Sequence, residues 1–311
     1  MVKVNKILLC FFLAIITVSC NLKKEKPRES SHFTFVVMPD TQKLSSDEEF
    51  GDPEQPDLLS NRMQSMASWI ADHKDSLNIV MVAHLGDMTE DQNVPIQWQR
   101  NVDAWKIITD AGIPFAPCQG NHDSISSINK YFPISDYVKK PYWGGSMNGG
   151  IENAYYLFEA GEMEFILVVV EEGSIRKKGT NSAVRQWASS IFAKYPERRG
   201  ILTAHNITRN GGEQKDVIEP NDNVFMSCNG HACENNGNDY WTTTSTGGNT
   251  QHLIRSDYQC RGDRSGGAMF RYYVFKPEED KVYAYTYDVI TESYHTDADH
   301  QFSFTYDMKS K

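Results

Sequence analysis

Five short polar clusters hold the residue types that could do chemistry. They are Asp40-Thr41-Gln42, Gly86-Asp87 with Glu90 three residues on, Gly120-Asn121-His122-Asp123, His205-Asn206 and Gly230-His231-Ala232-Cys233. Carboxylate, amide oxygen and imidazole are donors that suit divalent ions such as Zn, Fe, Mn or Mg. Taken singly, each has a bland reading. An aspartate after a strand often only makes a turn, and a lone histidine is more often a core or surface residue. The signal is the ordered set. A Ser nucleophile elbow, a Walker loop and a dinucleotide fingerprint are all missing from the sequence.

Each cluster follows an apolar run of strand type. Phe33–Met38, Ile79–Leu85, Ile113–Cys118 and Ile201–His205 read as strands, and Val224-Phe225-Met226 leads into the last cluster. In open α/β sheets ligands bind beyond the carboxyl ends of the strands, so five such ends can converge on one crevice. Helical periodicity appears over Leu58–Ile70, at Trp98, Val102 and Trp105, and at Val184, Trp187 and Ile191. Tyr155–Phe158 and Met163–Val170 read as a hairpin around Gly161, and residues 223–306 as mostly β. The expected fold class is α/β, with two packed mixed sheets flanked by helices.

The ordered series Asp-x-Gln, Gly-Asp-x-x-Glu, Gly-Asn-His-Asp, His, Gly-His-x-Cys resembles the blocks of the calcineurin-like metallophosphoesterases over about residues 33–235. The β-rich tail, with Asp257-Tyr258-Gln259, Gly266-Gly267, Arg271 and Thr286-Tyr287, is similar to an extracytoplasmic subgroup. The resemblance implies an αββα sandwich and a two-metal hydrolase of small phosphoesters. Asp40 and Gln42 would serve the first metal, and Asp87 both. Asn121, His205 and His231 would serve the second. A water shared by two cations loses its proton near neutral pH and becomes the nucleophile. His122 would be the general acid to the leaving oxygen or would stabilise the charged phosphorane, Glu90 would orient it, and Asp123 would stand behind the ligands. Two positions depart from the family pattern. Gln42 and Cys233 stand where relatives carry His, both at the first metal. Gln42 is read as a ligand or a loop residue, and Cys233 as a thiolate ligand, a disulfide partner or an idle thiol. The second position is expected to bind metal more tightly.

The remaining polar candidates have framework readings. His84 sits inside an apolar strand, and His252 belongs to a strand pattern. His32, His73, His295 and His300 read as surface residues. Arg261, Arg264 or Arg271 could reach an anion, and Tyr142-Trp143 could line a cleft or pack in a loop. Arg261-Gly262-Asp263 reads as chance.

Residues 1–19 have Lys3 and Lys6, then an apolar stretch Ile7–Val18 too short to span a bilayer comfortably, and end before Cys20. This resembles a bacterial lipoprotein signal, with Thr17 as a departure. It implies lipid on Cys20, a tether over residues 20–31 and a location in the cell envelope outside the cytoplasm; the phosphoesterase-like domain with its β-rich C-terminal part is expected over 32–308. A plain signal peptide is the competing reading. The net charge is -10, and loss of two lysines with residues 1–19 makes it -12. Nucleic acid is therefore not expected as a partner, since phosphate backbones need a basic face. Outside the cytoplasm disulfides form, and Cys118, Cys228, Cys233 and Cys260 allow three complete pairings. A competing function is a lipoprotein that binds a phosphorylated or glycan ligand, its catalysis weakened by the altered first-metal positions.

Overall fold

The computed structural model describes residues 32–46, 57–172, 183–260 and 267–309. The expected signal (1–19), tether (20–31) and Cys20 lie outside the described residues, as do Arg261 and Arg264. The first half runs β1 (Phe33–Met38), α1 (Gln42–Ser46), α2 (Asp57–Asp72), β2 (Ile79–His84), α3 (Pro95–Asp110), β3 (Phe115–Ala116) and α4 (Ile125–Tyr131). Then come β4 (Trp143–Ser146), β5 (Ala154–Ala160), β6 (Met163–Val170), α5 (Ala183–Lys194), β7 (Arg199–Ala204) and β8 (Val224–Asn229). Strands β9 (Asn238–Thr244), β10 (Thr250–Ser256), β11 (Met269–Lys276), β12 (Lys281–Asp288), β13 (Ser293–His295) and β14 (Phe302–Thr305) complete the chain.

These strands make two mixed sheets of seven. One has the order β13-β12-β11-β1-β2-β3, with β14 also on β12; the other is β4-β5-β6-β7-β8-β10-β9. Strand β6, MEFILVVV, shows why both sheets are covered. Phe165, Leu167 and Val169 enter the core between the sheets. Ile166, Val168 and Val170 point the other way, onto Val184, Ala188 and Phe192 of α5. A strand buried on both faces needs a continuous apolar run rather than alternation. Strand β12, KVYAYTYD, buries only alternate residues. Aromatic rings lock the sheets together: Phe33 of the first meets Phe165 of the second at 5.4 Å and stacks on Phe275 at 4.7 Å. Helix α2 covers the first sheet with Met63, Met66, Ala67 and Ile70, all fully buried at helical spacing.

Register brings the strand ends together. Met38 pairs with His84 across parallel β1 and β2, and Ala83 with Ala116 across β2 and β3. In the other sheet Val170 pairs with Ala204, and Thr203 with Cys228. The loops carrying Asp40, Asp87, Asn121, His205 and His231 therefore leave the same edge. The third expected strand, Ile113–Cys118, shrinks to Phe115–Ala116. Pro114 and Pro117 flank it, and proline has no N–H to give a ladder.

Several framework readings can now be placed. His84 is fully buried, with its ring against Thr41 Oγ1 at 3.2 Å. His252 Nδ1 lies 2.8 Å from Tyr240 Oη, and its ring stacks on Phe304 at 4.0 Å. His300 is a correction: it is buried, not superficial, and meets Asn238 at 3.0 Å because the turn before β14 folds back over β9. Arg271 is also no anion receptor. It is 1% exposed and donates to Asn238 Oδ1 and the Asp299 carbonyl, each at 2.7 Å. Trp143 packs against Tyr137 and Tyr156. Among the described residues no helix is long and apolar enough to cross a membrane.

Candidate metal centre

His205 stands at the middle of the site. Its Nδ1 lies 2.9 Å from the Leu85 carbonyl. With Nδ1–H donating there, Nε2 faces the other donors, the arrangement that readies an imidazole for a metal that displaces its proton. Around Nε2 lie Asp87 Oδ2 at 3.1 Å, Asn121 Oδ1 at 3.1 Å and His231 Nδ1 at 3.0 Å. Single donor atoms of Asp87, His205 and His231 all fall within 4.8 Å of one another. Asp40 adjoins this group: its Oδ2 accepts the His231 backbone N–H at 3.1 Å. Both sheets thus contribute, β1, β2 and β3 from one and β7 and β8 from the other.

Asp40, Asp87 and His205 are buried. Asn121 is exposed, and His122, Glu90 and His231 are partly so, which leaves one side open to substrate. The buried charges perturb one another. Burial alone would lower the His205 pKa, but the carboxylates of Asp40 and Asp87 hold it well above its ordinary value. Burial, then the neighbouring Asp257, raises Asp40. Asp87 is raised by burial, but the charge and hydrogen bond of His205 bring it below its ordinary value. Burial and then the charge of Asp87 push Asp123 up to about 6. Such a set of buried carboxylates needs positive charge, and divalent cations provide it.

Gln42 gives a direct test of fit. Its Nε2 donates to Glu90 Oε2 at 3.0 Å, while its buried Oε1 has no hydrogen-bond partner. A buried acceptor left unpaired is costly, and an amide oxygen is a competent donor to a hard cation. Asp87, His205 and His231 fit one divalent ion, with Asn121 Oδ1 beside them, and the adjoining Asp40 carboxylate and unpaired Gln42 oxygen are donor types that a second ion would take.

Two sequence expectations need adjusting. Cys233 forms a disulfide with Cys260, with Cα atoms 5.7 Å apart, so no thiolate is available for a metal there. Cys118 and Cys228 are free and buried. Glu90 reaches His122 mainly by its backbone: His122 Nδ1 lies 2.8 Å from the Glu90 carbonyl, against 4.0 Å for the carboxylate. That carboxylate turns instead to Gln42 and to Lys43, whose Nζ is 3.2 Å away. Asp123 accepts backbone N–H groups from Met88, Thr89 and Gly120 at 3.0–3.1 Å, tying the two loops together.

Sequence reasoning did not assign Asp257 and Gln259 to the site. Gln259 Nε2 donates to Asp40 Oδ2 at 3.1 Å and to Asp257 Oδ2 at 3.2 Å. Their signal was available, since Asp257-Tyr258-Gln259 follows β10 as the other clusters follow their strands.

The sequence pattern of the calcineurin-like phosphoesterases matches residues 33–235, and the chain belongs to that family. The chain is 26% identical over 313 aligned positions to the uncharacterized protein YvnB of Bacillus subtilis (strain 168). The match takes in 93% of this chain and 23% of YvnB, so the chain spans about a quarter of that relative's length. Among solved structures, a dimetal phosphatase from Danio rerio superposes with a TM-score of 0.56 at 12% identity, covering 88% of this chain and 99% of the other. A purple acid phosphatase from yellow lupin (Lupinus luteus) seeds superposes with a TM-score of 0.52 at 15% identity, covering 91% of this chain and 55% of the other. At such identities the likeness is one of fold.

Proposed function

We propose that the protein hydrolyses small phosphoesters at a dinuclear metal centre. The observation that carries this is the convergence of Asp87, Asn121 and His231 on His205 Nε2, with Asp40 beside them, from loops of both sheets. Divalent cations bound there would neutralise a phosphoryl group and acidify water. His122 sits at the open side, its backbone N–H on Asp87 Oδ1 at 2.9 Å and its Nδ1 on the Glu90 carbonyl. With Nδ1–H engaged, the protonated ring presents Nε2–H, and it is this proton that we assign to the leaving oxygen. Glu90 keeps the ring in place through its carbonyl, and Asp123 keeps the His122 loop against the Asp87 loop.

The test is turnover of p-nitrophenyl phosphate and bis-p-nitrophenyl phosphate with added Mn2+ or Zn2+. Asp87→Asn and His205→Ala should each lower kcat/KM by about 1,000-fold or more, as expected for loss of a group that builds the charged centre. Full turnover in both variants would remove these residues from the site. A binding-only role draws on the loss of Cys233 as a donor. Metal bound with no turnover of either ester would favour it. We further propose an envelope lipoprotein anchored through Cys20, on the strength of the signal-like residues 1–19. Mass spectrometry of the membrane fraction should find a lipid-modified Cys20 as the first residue, and a soluble Cys20→Ser variant.

A further inference from the structure

With Cys233 held in a disulfide, the first cation position lacks the donor expected from its own loop. A carboxylate adjoins the bridged sulfur: Cys233 Sγ lies 3.9 Å from Asp257 Oδ2. Asp257 directly follows β10, which pairs in parallel with β8, the strand that delivers His231. Its carboxylate and that of Asp40 share one amide, Gln259 Nε2, at 3.2 and 3.1 Å. Asp40 and Asp257 are each 1% exposed, and Gln259 is 6% exposed. Two carboxylates in so dry a place can both be charged only if a cation lies among them. The amides supply an independent sign. Gln259 Oε1 and Gln42 Oε1 are both buried without a hydrogen-bond partner. A carbonyl oxygen left unpaired in an interior is costly, and a hard cation would satisfy it.

We propose that Asp257 is a metal ligand that takes over from Cys233 at the first cation position. With Asp40, to which Gln259 links it, it makes that position one of oxygen donors, suited to a hard ion such as Mn2+ or Mg2+. The neighbouring position, with His205 and His231, suits Zn2+ or Fe2+, since imidazole favours those ions. The centre is therefore of mixed metal type. This rests on the dinuclear reading above, but its test reads metal rather than turnover.

The metal-free protein is titrated with Mn2+ and with Zn2+ by calorimetry, with the Mn2+ signal followed by electron paramagnetic resonance. Asp257→Asn should weaken Mn2+ binding by more than about 100-fold, beyond what losing an outer partner costs, and leave the tighter Zn2+ position unchanged. Asp257→His should shift the first position from Mn2+ towards Zn2+, which only a residue that touches the ion can do. Circular dichroism and thermal unfolding in chelator establish that each variant is folded. Unchanged Mn2+ affinity in a folded Asp257→Asn protein overturns the assignment, as does an Asp257→His protein with unaltered metal preference. A protein that turns over no phosphoester yet shows this Mn2+ dependence loses the hydrolase reading and keeps the ligand.

Discussion

A Cβ built on Gly120 would lie 2.1 Å from Asp87 Oδ1 and 2.2 Å from the Asp87 backbone nitrogen. One on Gly230 would lie 2.0 Å from Asp40 Oδ1. Each glycine precedes a proposed ligand, Asn121 or His231, and lets its loop close on a carboxylate from another strand. Gly120→Ala should therefore displace Asp87 rather than merely fill space. We expect a loss of about 1–3 kcal/mol in denaturant unfolding, the usual cost of overpacking. Metal analysis should show reduced content at the same time. A variant with full metal content would mean the loops can part without harm. His122 makes a second case at this scale. Its anchor is a backbone carbonyl, so Glu90→Gln should leave most of kcat, whereas His122→Ala should lower it by about 100-fold or more. Equal losses in the two variants would restore the Glu90 carboxylate to a direct role.

At the scale of elements, the Cys233–Cys260 bridge joins the loop that carries His231 to the loop that carries Gln259, across 27 residues of sequence. A loop of that order is worth roughly 3 kcal/mol of chain entropy. Cys233→Ser with Cys260→Ser should lower urea-unfolding stability by about that amount. Reductant should affect wild type and leave the double variant unchanged. Strand β10 holds a pH-sensitive element. Burial lowers the His252 pKa from 6.5 to about 4. The unfolded chain then takes up a proton between those values while the folded one does not. Stability contributed by neutral His252 is thus full above about pH 6.5 and is lost as pH falls towards 4. Allowing for partial solvent screening, the loss is on the order of 2 kcal/mol. His252→Phe should remove that part of the acid slope in unfolding measured from pH 7 to 4. An unchanged slope would assign it to other groups.

The whole molecule depends on two sheets that each supply half of the centre. Phe33, Phe165 and Phe275 hold them in contact. Phe165→Ala should cost about 3–5 kcal/mol, the range for removing a buried aromatic ring. It should also weaken metal binding, because Asp87 and His205 approach from opposite sheets. Calorimetry of wild type should show two unequal affinities, the His205–His231 position tighter, since its imidazoles and Asn121 are all present. The chain carries a net charge of -10, so attraction of the anionic ester proposed as substrate would have to come from bound cations and not from the overall field. Much of this organisation is local in origin and legible in the sequence. Apolar periodicity marks β1, β2, β6 and α2, and the polar clusters at strand ends mark Asp40, Asp87, Asn121, His205 and His231. Ile113–Cys118 misleads because apolar composition suggests a longer strand than its two prolines permit.

What the sequence by itself determined is which residue types stand where along each element, because strand and helix periods, turns and glycines act over a few residues. Tertiary structure alone decided who meets whom. Gln259 touches Asp40 across 219 residues, and although its cluster follows a strand as the others do, no local pattern names its partner. Cys233 had three partners open to it, and the closeness of two loops after β8 and β10 chose Cys260. The Glu90 carboxylate turned to Gln42 and Lys43 because α1 begins beside its loop, and the backbone carbonyl was left to hold His122. Such contacts depend on sheet order, parallel register and side-chain direction. These are settled only when the two sheets close on a common core.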